Sequence, residues 1–393
     1  MKVYLDHAAT TYVDDEVLKE MLPYFNGKFG NPNSQHAFGR ETAIAIDTAR
    51  NQIAKAINAK PSEIYFTSGG TESDNWALKG IASALRNKGN HIITSKIEHA
   101  AILESTKYLK KLGFEIDYLS VDKDGVVDLE ELKRLISEKT ILVSVMTANN
   151  EIGTIQPIKE IGEICKEHKL LFHTDAVQAT GAIKLDVKDM NIDLLSMSSH
   201  KFYGPKGIGA LYVRTGVKID NLISGGHQER TKRGGTSNVP AIVGMGKALE
   251  LATTNIEEKG KKIADMRDYF VNKVLEKIPF VTYNGSKINR LPNNASLSFD
   301  FIEGESILFS LDLEGIACSS GSACSSGSLE PSATLLAIGK EPKDAHGTIR
   351  FTFGKDNTYE QIDYTIDKLV ETVERLRNMS PLFYEFKKEN KNV

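Results

Sequence analysis

The sequence predicts an α/β protein with a large, mostly parallel sheet and a smaller α+β part. Three observations support this prediction. The chain has 393 residues, which is enough for two domains or for one large core with a satellite. Short apolar runs alternate with amphipathic runs along the first two-thirds of the chain, and this alternation ends near residue 255. Strands that alternate with helices indicate βαβ units, which build a mostly parallel sheet with helices on both faces.

The larger part is predicted from short apolar runs, which indicate strands, and from intervening segments with apolar residues at helical spacing. Gly113 ends one of these helical segments and Pro157 begins another, as these residue types commonly do. The predicted strands cover residues 64–68, 91–95, 140–147, 170–175, 193–198 and 208–213, and the predicted helices cover residues 73–87, 100–113 and 157–169.

The smaller part begins with a charged helix and continues with separate strands and further helices. Its predicted helices cover residues 256–277, 304–315 and 358–379, and its predicted strands cover residues 295–300 and 348–353. We therefore expect a large α/β domain at residues 13–254 and a small α+β domain formed by residues 1–12 and 255–393. Within the small domain, residues 318–328 are Ser, Gly, Cys and Ala alone, a composition that predicts a flexible loop.

Composition and charge argue against several classes of function. The formal net charge is −3, from 49 basic and 52 acidic residues spread along the chain, so no basic surface for nucleic acid is indicated. No apolar run is long enough for a transmembrane helix or a signal peptide, so no membrane association is expected. The three cysteines, Cys165, Cys318 and Cys324, do not suggest a disulfide framework. We expect free thiols in a cytoplasmic protein, with Cys165 packed in the core.

Polar residues follow two of the predicted strands. Lys201 comes shortly after the strand at 193–198, where a lysine can form a Schiff base with an aldehyde cofactor, and Ser198 and His200 beside it could hold a phosphate. Asp175 ends the strand at 170–175, at the edge where open parallel sheets bind ligands, and a carboxylate there would keep a pyridine nitrogen protonated. Taken alone, Lys201 also fits a surface lysine in a turn, and Asp175 also fits a helix cap.

A glycine turn and a histidine extend this set. Gly69 and Gly70 join a strand to a helix and allow close approach of the backbone, and the helix N-terminus with Thr71 offers donors to a phosphate. His99 follows the strand at 91–95, where it could stack on a cofactor ring and move protons. An ordinary turn and a solvated or capping histidine are the alternatives. The shared position of all these residues at strand ends favours one cofactor site.

The sequence resembles the NifS/IscS-type cysteine desulfurases over nearly its whole length, from residue 4 to residue 354. The motifs that carry the resemblance are YLDHAATT (4–11), GNPNSQHAFG (30–39), FTSGGTES (66–73), KIEHAA (96–101), ANNEIGTIQP (148–157), HTDAVQATG (173–181), SSHKFYGPKGIGALY (198–212), RGGTSN (233–238) and GSACSSGSLEPS (321–332). The resemblance implies the fold-type I architecture of pyridoxal-phosphate (PLP) enzymes, with PLP as cofactor and a homodimer as the assembly.

The resemblance also implies a role for each matching residue. Lys201 would bond to the PLP aldehyde and, once released, move the Cα proton of the substrate. Asp175 would pair with the pyridinium nitrogen, Gln178 would hydrogen-bond the phenolic oxygen, and His99 would stack on the ring. The other implied positions are the phosphate contacts Gly70, Thr71, Ser198 and His200, a phosphate contact from the neighbouring subunit at Thr236, and the substrate carboxylate region at Asn150 and Arg350, with Asn150 also counted among the cofactor contacts.

Cys324 matches the nucleophile of the family. The implied reaction converts L-cysteine to L-alanine and leaves the sulfur as a persulfide on Cys324, for transfer to an iron–sulfur scaffold protein. The persulfide could also help to ligate a transient iron–sulfur cluster, which makes Cys324 the candidate metal ligand. A thiolate is required, and residues 318–328 contain no Lys, Arg or His to stabilise one. We therefore expect activation only when the loop enters the PLP site, where His99 or Lys201 takes the proton.

Other functions on the same fold remain open at this point. A selenocysteine lyase or cysteine-sulfinate desulfinase is the nearest alternative, and the long cysteine loop disfavours it. A PLP-binding sulfur-transfer scaffold without turnover would not need Lys201, Asp175, His99 and Cys324 together. A generic aminotransferase would give no role to Cys324. The chain stops soon after PLFYEFKKENKNV, which favours a NifS-like over an IscS-like role and leaves the sulfur acceptor unidentified.

Overall fold

The computed structural model describes residues 1–320 and 331–389. The strands are β1 (Val3–Tyr4), β2 (Ile64–Thr67), β3 (His91–Ser95), β4 (Glu115–Leu119), β5 (Thr140–Ser144), β6 (Leu171–Asp175), β7 (Leu194–Ser198), β8 (Gly209–Val213), β9 (Val281–Tyr283), β10 (Asn294–Phe299), β11 (Ile316–Ala317), β12 (Ser319–Ser320) and β13 (Thr348–Thr352). The helices are α1 (Asp15–Met21), α2 (Pro23–Asn26), α3 (Ala37–Ala56), α4 (Gly70–Ala84), α5 (Ala100–Lys111), α6 (Leu129–Leu135), α7 (Ile158–Glu167), α8 (Val239–Thr253), α9 (Ile256–Lys277), α10 (Gly304–Leu313), α11 (Ala333–Ala337), α12 (Pro342–His346), α13 (Tyr359–Met379) and α14 (Pro381–Glu389).

Seven strands form the large sheet, in the order β2-β8-β7-β6-β5-β3-β4. Strand β8 runs antiparallel to both of its neighbours, and the remaining pairs are parallel. Strand β2 therefore points the same way as β7. The carboxyl ends of every strand except β8 meet at one edge, which is where open α/β sheets bind ligands.

Helices cover both faces of the large sheet because successive strand residues point to opposite sides. Val143 and Leu195 pack into one core together with helices α3, α7 and α8. Their neighbours Leu142 and Leu194 pack into a second core together with α4 and α5. All four side chains are fully buried. The sheet is thus the middle layer of three, which fixes its polar carboxyl edge as the accessible place for a site.

A second, antiparallel sheet has the order β12-β13-β10-β9 and a core of its own. Helices α9, α10 and α13 cover it, with Phe270 packed against Phe351 and Phe353. The N-terminal strand β1 pairs with β11, so Val3 and Leu5 join this core rather than that of the large sheet. The first residues of the chain therefore lie beside residues more than 300 positions later.

Side-chain caps start several of the helices. Asp128 accepts the backbone N–H groups of Glu130 and Glu131 at the start of α6, and Thr358 and Gln361 form a capping box at the start of α13. Each cap satisfies a donor that has no acceptor within the helix and contributes about 1 kcal/mol. Among the described residues, no helix combines the length and the apolar character that a bilayer crossing needs.

The predicted fold class, a large mostly parallel sheet with a smaller α+β part, is confirmed. Helix α4 begins at Gly70 and not at residue 73 as predicted, because the Gly-Thr pair forms its first turn. Strand β5 ends at Ser144, before the predicted end at residue 147. Strand β4 and several helices, including α3 and α8, were not predicted. The division into domains at residues 13–254 and at residues 1–12 with 255–393 stays a prediction.

Candidate active site

The carboxyl edge of the large sheet borders a cavity of about 390 Å³, a size typical of cofactor sites. Ten of the predicted site residues line this cavity together: Gly70, Thr71, His99, Asn150, Asp175, Gln178, Ser198, His200, Lys201 and Arg350. Five further residues that were not predicted line it as well, namely Ala8, Ala9, Asp74, Met146 and Val177.

Lys201 lies at the end of a short 3₁₀ turn that follows β7. Its Nζ donates hydrogen bonds to the carbonyl oxygens of Ala8, at 2.5 Å, and Ala9, at 2.8 Å. The Nε2 of Gln178 donates to the same Ala8 carbonyl at 3.0 Å. The N-terminal segment therefore forms one wall of the cavity and holds the amine of Lys201 in place.

The N-terminus of α4 opens into the same cavity. A Cβ atom at Gly70 would lie 2.7 Å from Cγ2 of Val177, so the absence of a side chain lets the helix start pass this close to the loop after β6. The first N–H groups of a helix have no intrahelical acceptor and carry its positive dipole end. Together with Thr71 and Ser198 they form a set of donors suited to a phosphate.

His200 is a neutral donor or acceptor beside this anion site. Burial, with the nearby ammonium groups of Lys201 and Lys206, lowers the pKa of His200 to about 4. Its Nδ1 lies 3.1 Å from the hydroxyl of Thr10. The imidazole is therefore uncharged at neutral pH and contributes a hydrogen bond, not a charge.

Asp175 and Asp74 are two carboxyl groups buried at the cavity, 5% and 1% exposed. The Oδ1 of Asp175 accepts the N–H of Val177 at 2.9 Å. Burial raises the pKa of Asp175, and the nearby His99 and Lys201 act in the opposite direction. Burial raises the pKa of Asp74 strongly, and the charge of Asp175 raises it further. Adjacent buried carboxyls disfavour each other's ionisation, and the positive groups near Asp175 favour its ionised form over that of Asp74.

Glu98 is a third buried carboxyl at this edge. Its Oε1 accepts the hydroxyl of Ser95 at 2.5 Å and the N–H of Met146 at 2.9 Å. Its Oε2 has no hydrogen-bond partner within residues 1–320 and 331–389. Burial raises the pKa of Glu98 to about 8, so this carboxyl is protonated at neutral pH. It ties the carboxyl end of β3 to that of β5, directly before His99, whose Nδ1 accepts the N–H of Ala101 at 3.1 Å.

Arg350 enters the cavity from β13, on the small sheet, and is only 2% exposed. Its Nη1 donates to the carbonyl of Asn150 at 2.9 Å, and its Nη2 donates to the carboxylate of Asp6 at 3.0 Å. Its Nε has no partner in the part of the chain that the structure describes. A guanidinium with an unused donor can bind both oxygens of a substrate carboxylate.

The loop that carries Thr236 is tied to the start of α4 by an ion pair. Arg233 donates to both carboxylate oxygens of Glu72, at 2.9 and 3.0 Å, and Glu72 also accepts the N–H of Ser68 at 2.8 Å. Thr236 itself is exposed and does not line the cavity of its own chain. Its role across a subunit interface stays a prediction.

The three cysteines differ in what the structure says of them. Cys324 lies outside the described residues, so its roles as nucleophile and as iron–sulfur ligand stay predictions. Cys165 is 1% exposed in the core of the large sheet, where the sequence placed it. Cys318 lies between β11 and β12, and burial raises the pKa of its thiol, which disfavours a reactive thiolate there.

Sequence reasoning did not single out Asp6, Asp74 or Glu98. Asp6 and Glu98 lie within the motifs at 4–11 and 96–101, and Asp74 directly follows the motif at 66–73. Asp74 is also a charged residue on the buried side of α4, next to Ala77 and Leu78. A carboxyl in an otherwise apolar helix face was a usable signal for a functional position.

Comparison with known proteins identifies the family. The model of the class-V aminotransferases matches residues 3–365. A cysteine desulfurase IscS of Clostridium botulinum is 55% identical over 389 residues, which are 98% of this chain and 98% of that protein. The resemblance seen in the motifs is thereby confirmed.

Solved structures give the same result. A NifS-like protein superposes with a TM-score of 0.90 and 42% identity, over 96% of this chain and 100% of that one. The protein SspA, solved in complex with cysteine, superposes with a TM-score of 0.81 and 37% identity, over 91% of this chain and 100% of that one. The chain belongs to the class-V aminotransferase family.

Proposed function

We propose that this member of the class-V aminotransferase family removes sulfur from L-cysteine with the help of PLP, releases L-alanine and keeps the sulfur as a persulfide on Cys324. The chain is a cysteine desulfurase, as are full-length relatives that are 55% identical to it. The observation that carries the residue assignment is that ten residues chosen from the sequence line one cavity.

The residues around the cavity suit PLP group by group. The N-terminus of α4 with Thr71, Ser198 and His200 provides donors for the phosphate, Asp175 provides a carboxylate for the pyridinium nitrogen, and Lys201 provides an amine for the aldehyde. A Cβ at Gly70 would close the approach to the phosphate donors. When bound, PLP withdraws electrons from the Cα of an attached amino acid.

Lys201 is the residue suited to move the proton of the substrate Cα. Its Nζ lies between two carbonyl oxygens, and these acceptors can hold the ammonium form after it has taken a proton. His99, four residues after the end of β3, lies at the same cavity and could take the thiol proton of Cys324. Burial disfavours the charged forms of Glu98 and Asp74, which limits the negative charge that a substrate carboxylate would meet.

Arg350 is the residue suited to bind the substrate carboxylate. Its side chain is already oriented by Asn150 and Asp6, so little conformational entropy is lost when the substrate arrives. Asn150 lies at the same end of the cavity.

The sulfur step is a displacement at the substrate sulfur. The Cys324 thiolate forms a new S–S bond, the Cβ–S bond of the substrate breaks, and the electron pair of that bond passes to the carbon part, which then takes a proton. L-Cysteine and an enzyme thiol thereby give L-alanine and an enzyme persulfide, and no external oxidant is consumed. A persulfide of this kind is a donor for iron–sulfur cluster assembly on a scaffold protein.

We further propose a homodimer in the cytoplasm. Four large apolar side chains near the N-terminus, Phe25, Phe29, Phe38 and Ile44, are 58–67% exposed, and an exposed apolar set of this kind is typical of an interface. A second copy would also bring its Thr236 towards a phosphate. A reducing compartment is needed because the reaction uses a free thiol.

The test is a pair of variants with opposite signatures. Cys324→Ala should keep the PLP absorbance and lose at least 99% of the sulfide released from L-cysteine in the presence of a reductant. Lys201→Ala should lose the absorbance of covalently held PLP and the activity together. Mass spectrometry of the parent after incubation with L-cysteine should find one extra sulfur on the peptide with Cys324, and Cys318→Ala is the control that keeps it. Turnover by Cys324→Ala at the parent rate would refute the persulfide step.

A further inference from the structure

The turn at residues 149–152, shortly after β5, contains a carboxyl group that the reaction proposed above does not use. This is Glu151. The hydroxyl of Ser332 donates a short hydrogen bond to its Oε2, and the hydroxyl of Thr334 donates to its Oε1 at 3.4 Å. Ser332 also accepts the N–H of Leu335 at 3.2 Å and so caps helix α11. Glu151 therefore holds the first residues of α11.

Apolar packing fixes the same contact from a second side. Ile152 and Leu335 are fully buried against each other and against Ala345, with Ile338 at the border of this cluster. This small core belongs to neither sheet. It seats helix α11 on the turn that contains Glu151.

The turn at residues 149–152 is held by hydrogen bonds of the Asn149 side chain. The Oδ1 of Asn149 accepts the N–H groups of Glu151 and Ile152 at 2.9 and 3.0 Å. Its Nδ2 donates to the carbonyl of Ile97 at 2.9 Å and lies 3.4 Å from the hydroxyl of Thr334. One buried amide thus links β3, the turn and α11.

The same turn also holds Arg350, through the carbonyl of Asn150. Burial raises the pKa of Glu151 to about 7, and the hydroxyl of Ser332 and the charge of Arg350 work against this rise. A carboxyl that stays at this position despite the cost of burial is held by its contacts. The start of α11 and the candidate carboxylate-binding arginine are therefore anchored on adjacent residues.

We propose that Glu151 is a positioning residue for sulfur transfer, because its hold on Ser332 and Thr334 fixes the chain that follows the Cys324 segment beside the Arg350 site. The inference rests on the proposed function, since Cys324 precedes Ser332 by eight residues in the sequence and itself lies outside the described residues. Fixing the backbone at Ser332 limits how far from it a residue eight positions earlier can lie, because each residue spans at most about 3.6 Å. Because Arg350 is bonded to the backbone carbonyl of Asn150 and not to the Glu151 side chain, loss of that side chain should slow the second half-reaction and leave the first nearly unchanged.

Two rates measured on the PLP-loaded enzyme separate these half-reactions. The first is the absorbance change of PLP on rapid mixing with L-cysteine, which does not require Cys324. The second is the formation of the Cys324 persulfide, followed by acid quench and mass spectrometry. Glu151→Ala should leave the PLP content and the first rate within twofold of the parent and slow the second rate at least tenfold.

Two further variants test the hydrogen bond itself. Glu151→Gln keeps an oxygen that can accept from Ser332 and should retain at least a third of the parent rate of persulfide formation. Ser332→Ala should slow persulfide formation severalfold, and the double variant Glu151→Ala/Ser332→Ala should be no slower than Glu151→Ala alone. Independent, multiplying effects of the two substitutions would overturn the pairing.

Glu63 provides a matched control. It is a buried carboxyl that accepts the N–H and the hydroxyl of Thr215 at 2.9 and 2.7 Å, away from the cavity. Glu63→Ala removes a comparable contact and should change neither rate more than its loss of stability explains. If Glu151→Ala kept the PLP content of the parent and yet lowered both rates in parallel, the proposal would be wrong.

Failure of this inference is distinguishable from failure of the proposed function. If the parent enzyme forms no persulfide on Cys324, the proposed function fails. If the parent forms it and both Glu151→Ala and Ser332→Ala form it at the parent rate, only the role of Glu151 is refuted. If the Glu151→Ala variant folds poorly, the role of Glu151 is tested with Ser332→Ala, which removes a single oxygen atom.

Discussion

The two faces of strand β13 are both buried, but they contain opposite kinds of side chain. On one face, Ile349 and Phe351 are fully buried in the core of the small sheet, with Phe351 4.8 Å from the ring of Phe270. On the other face, Thr348, Arg350 and Thr352 are equally inaccessible and are hydrogen-bonded to other segments. Alternation of side chains along a strand brings both sets within five residues.

The difference separates stability from function. The apolar face is a source of folding free energy, because it removes large apolar surfaces from water. The polar face recovers little free energy, since each group gives up water to gain a protein partner. What it provides is position: Arg350 reaches the cavity, and Thr352 accepts the N–H of Ala8 at 2.9 Å, next to the carbonyls that hold Lys201. The first three of the four predictions that follow test this separation, and the fourth tests a buried carboxyl outside β13.

Phe351→Ala should give the largest loss of stability. Removing a fully buried aromatic side chain lowers the free energy of unfolding by about 3–5 kcal/mol, which urea denaturation of the PLP-loaded enzyme would measure. The folded fraction should keep its KM for L-cysteine within threefold. Phe309, which is 70% exposed, is the control, and Phe309→Ala should change stability by less than about 0.5 kcal/mol. An equal loss in both variants would contradict the account of the apolar face.

Arg350→Lys should give the largest loss of function on the polar face. A lysine has no planar fork for the two oxygens of a carboxylate, so kcat/KM should fall about 100-fold, which corresponds to about 2.7 kcal/mol. Steady-state kinetics with L-cysteine would measure it. Arg377 is the matched control, because it is 4% exposed and bonds backbone carbonyls far from the cavity. Arg377→Lys should affect stability and leave KM unchanged; a similar KM change in both would refute the assignment.

Thr352→Val should give an intermediate effect on both properties. The N–H of Ala8 would lose its acceptor inside the protein, at a cost of about 1–3 kcal/mol, and the carbonyls that hold Lys201 would shift with it. We expect a lower melting temperature together with a several-fold lower kcat. Thr365→Val is the comparison, since Thr365 only donates to a carbonyl within its own helix. A loss of stability without any change in kcat would show that the Ala8 contact does not position Lys201.

Glu98→Gln should change the pH dependence of stability by about 1 kcal/mol per pH unit. Burial raises the pKa of Glu98 to about 8, from an ordinary value of about 4.3. Between these values the folded protein binds more protons than the unfolded chain, so the free energy of unfolding falls as pH rises and levels off above pH 8. Glutamine does not titrate, so the variant should gain stability relative to the parent from pH 5 to pH 8. Parallel melting-temperature profiles for the two proteins would refute this.

Much of the fold could be predicted from local pattern alone. Helix α9 has the predicted bounds, and strands β3 and β6 are within one residue of theirs, because a buried parallel strand is an apolar run bounded by turn residues. Strand β4 was missed since its residues alternate without an apolar run. Helix α8 was missed although Asn238 caps it and Pro240 lies in its first turn, since no strand pattern follows it to mark its end.

The site could be predicted as a set of residues and not as a network. Lys201, Asp175 and His99 each follow a strand, and parallel strands end at one edge, so their convergence followed from the sequence. Asp74 could have been recognised as a carboxyl in an apolar helix face, whereas Glu98, at the same edge, has no local sign of burial. Glu151 was missed because its partners Ser332 and Thr334 are more than 180 residues away.

The sequence by itself determined the fold class, the family and the residue types that PLP chemistry requires, because hydrophobic periodicity and short motifs are local. Only the tertiary structure decided which carboxyls are protonated, what orients Arg350 and what holds α11 on the turn at 149–152. Those properties depend on burial and on contacts between distant segments, and the cost of burying a charge is set by every element packed around it. The residues suited to the chemistry could therefore be identified from local motifs, whereas their arrangement depends on the tertiary structure.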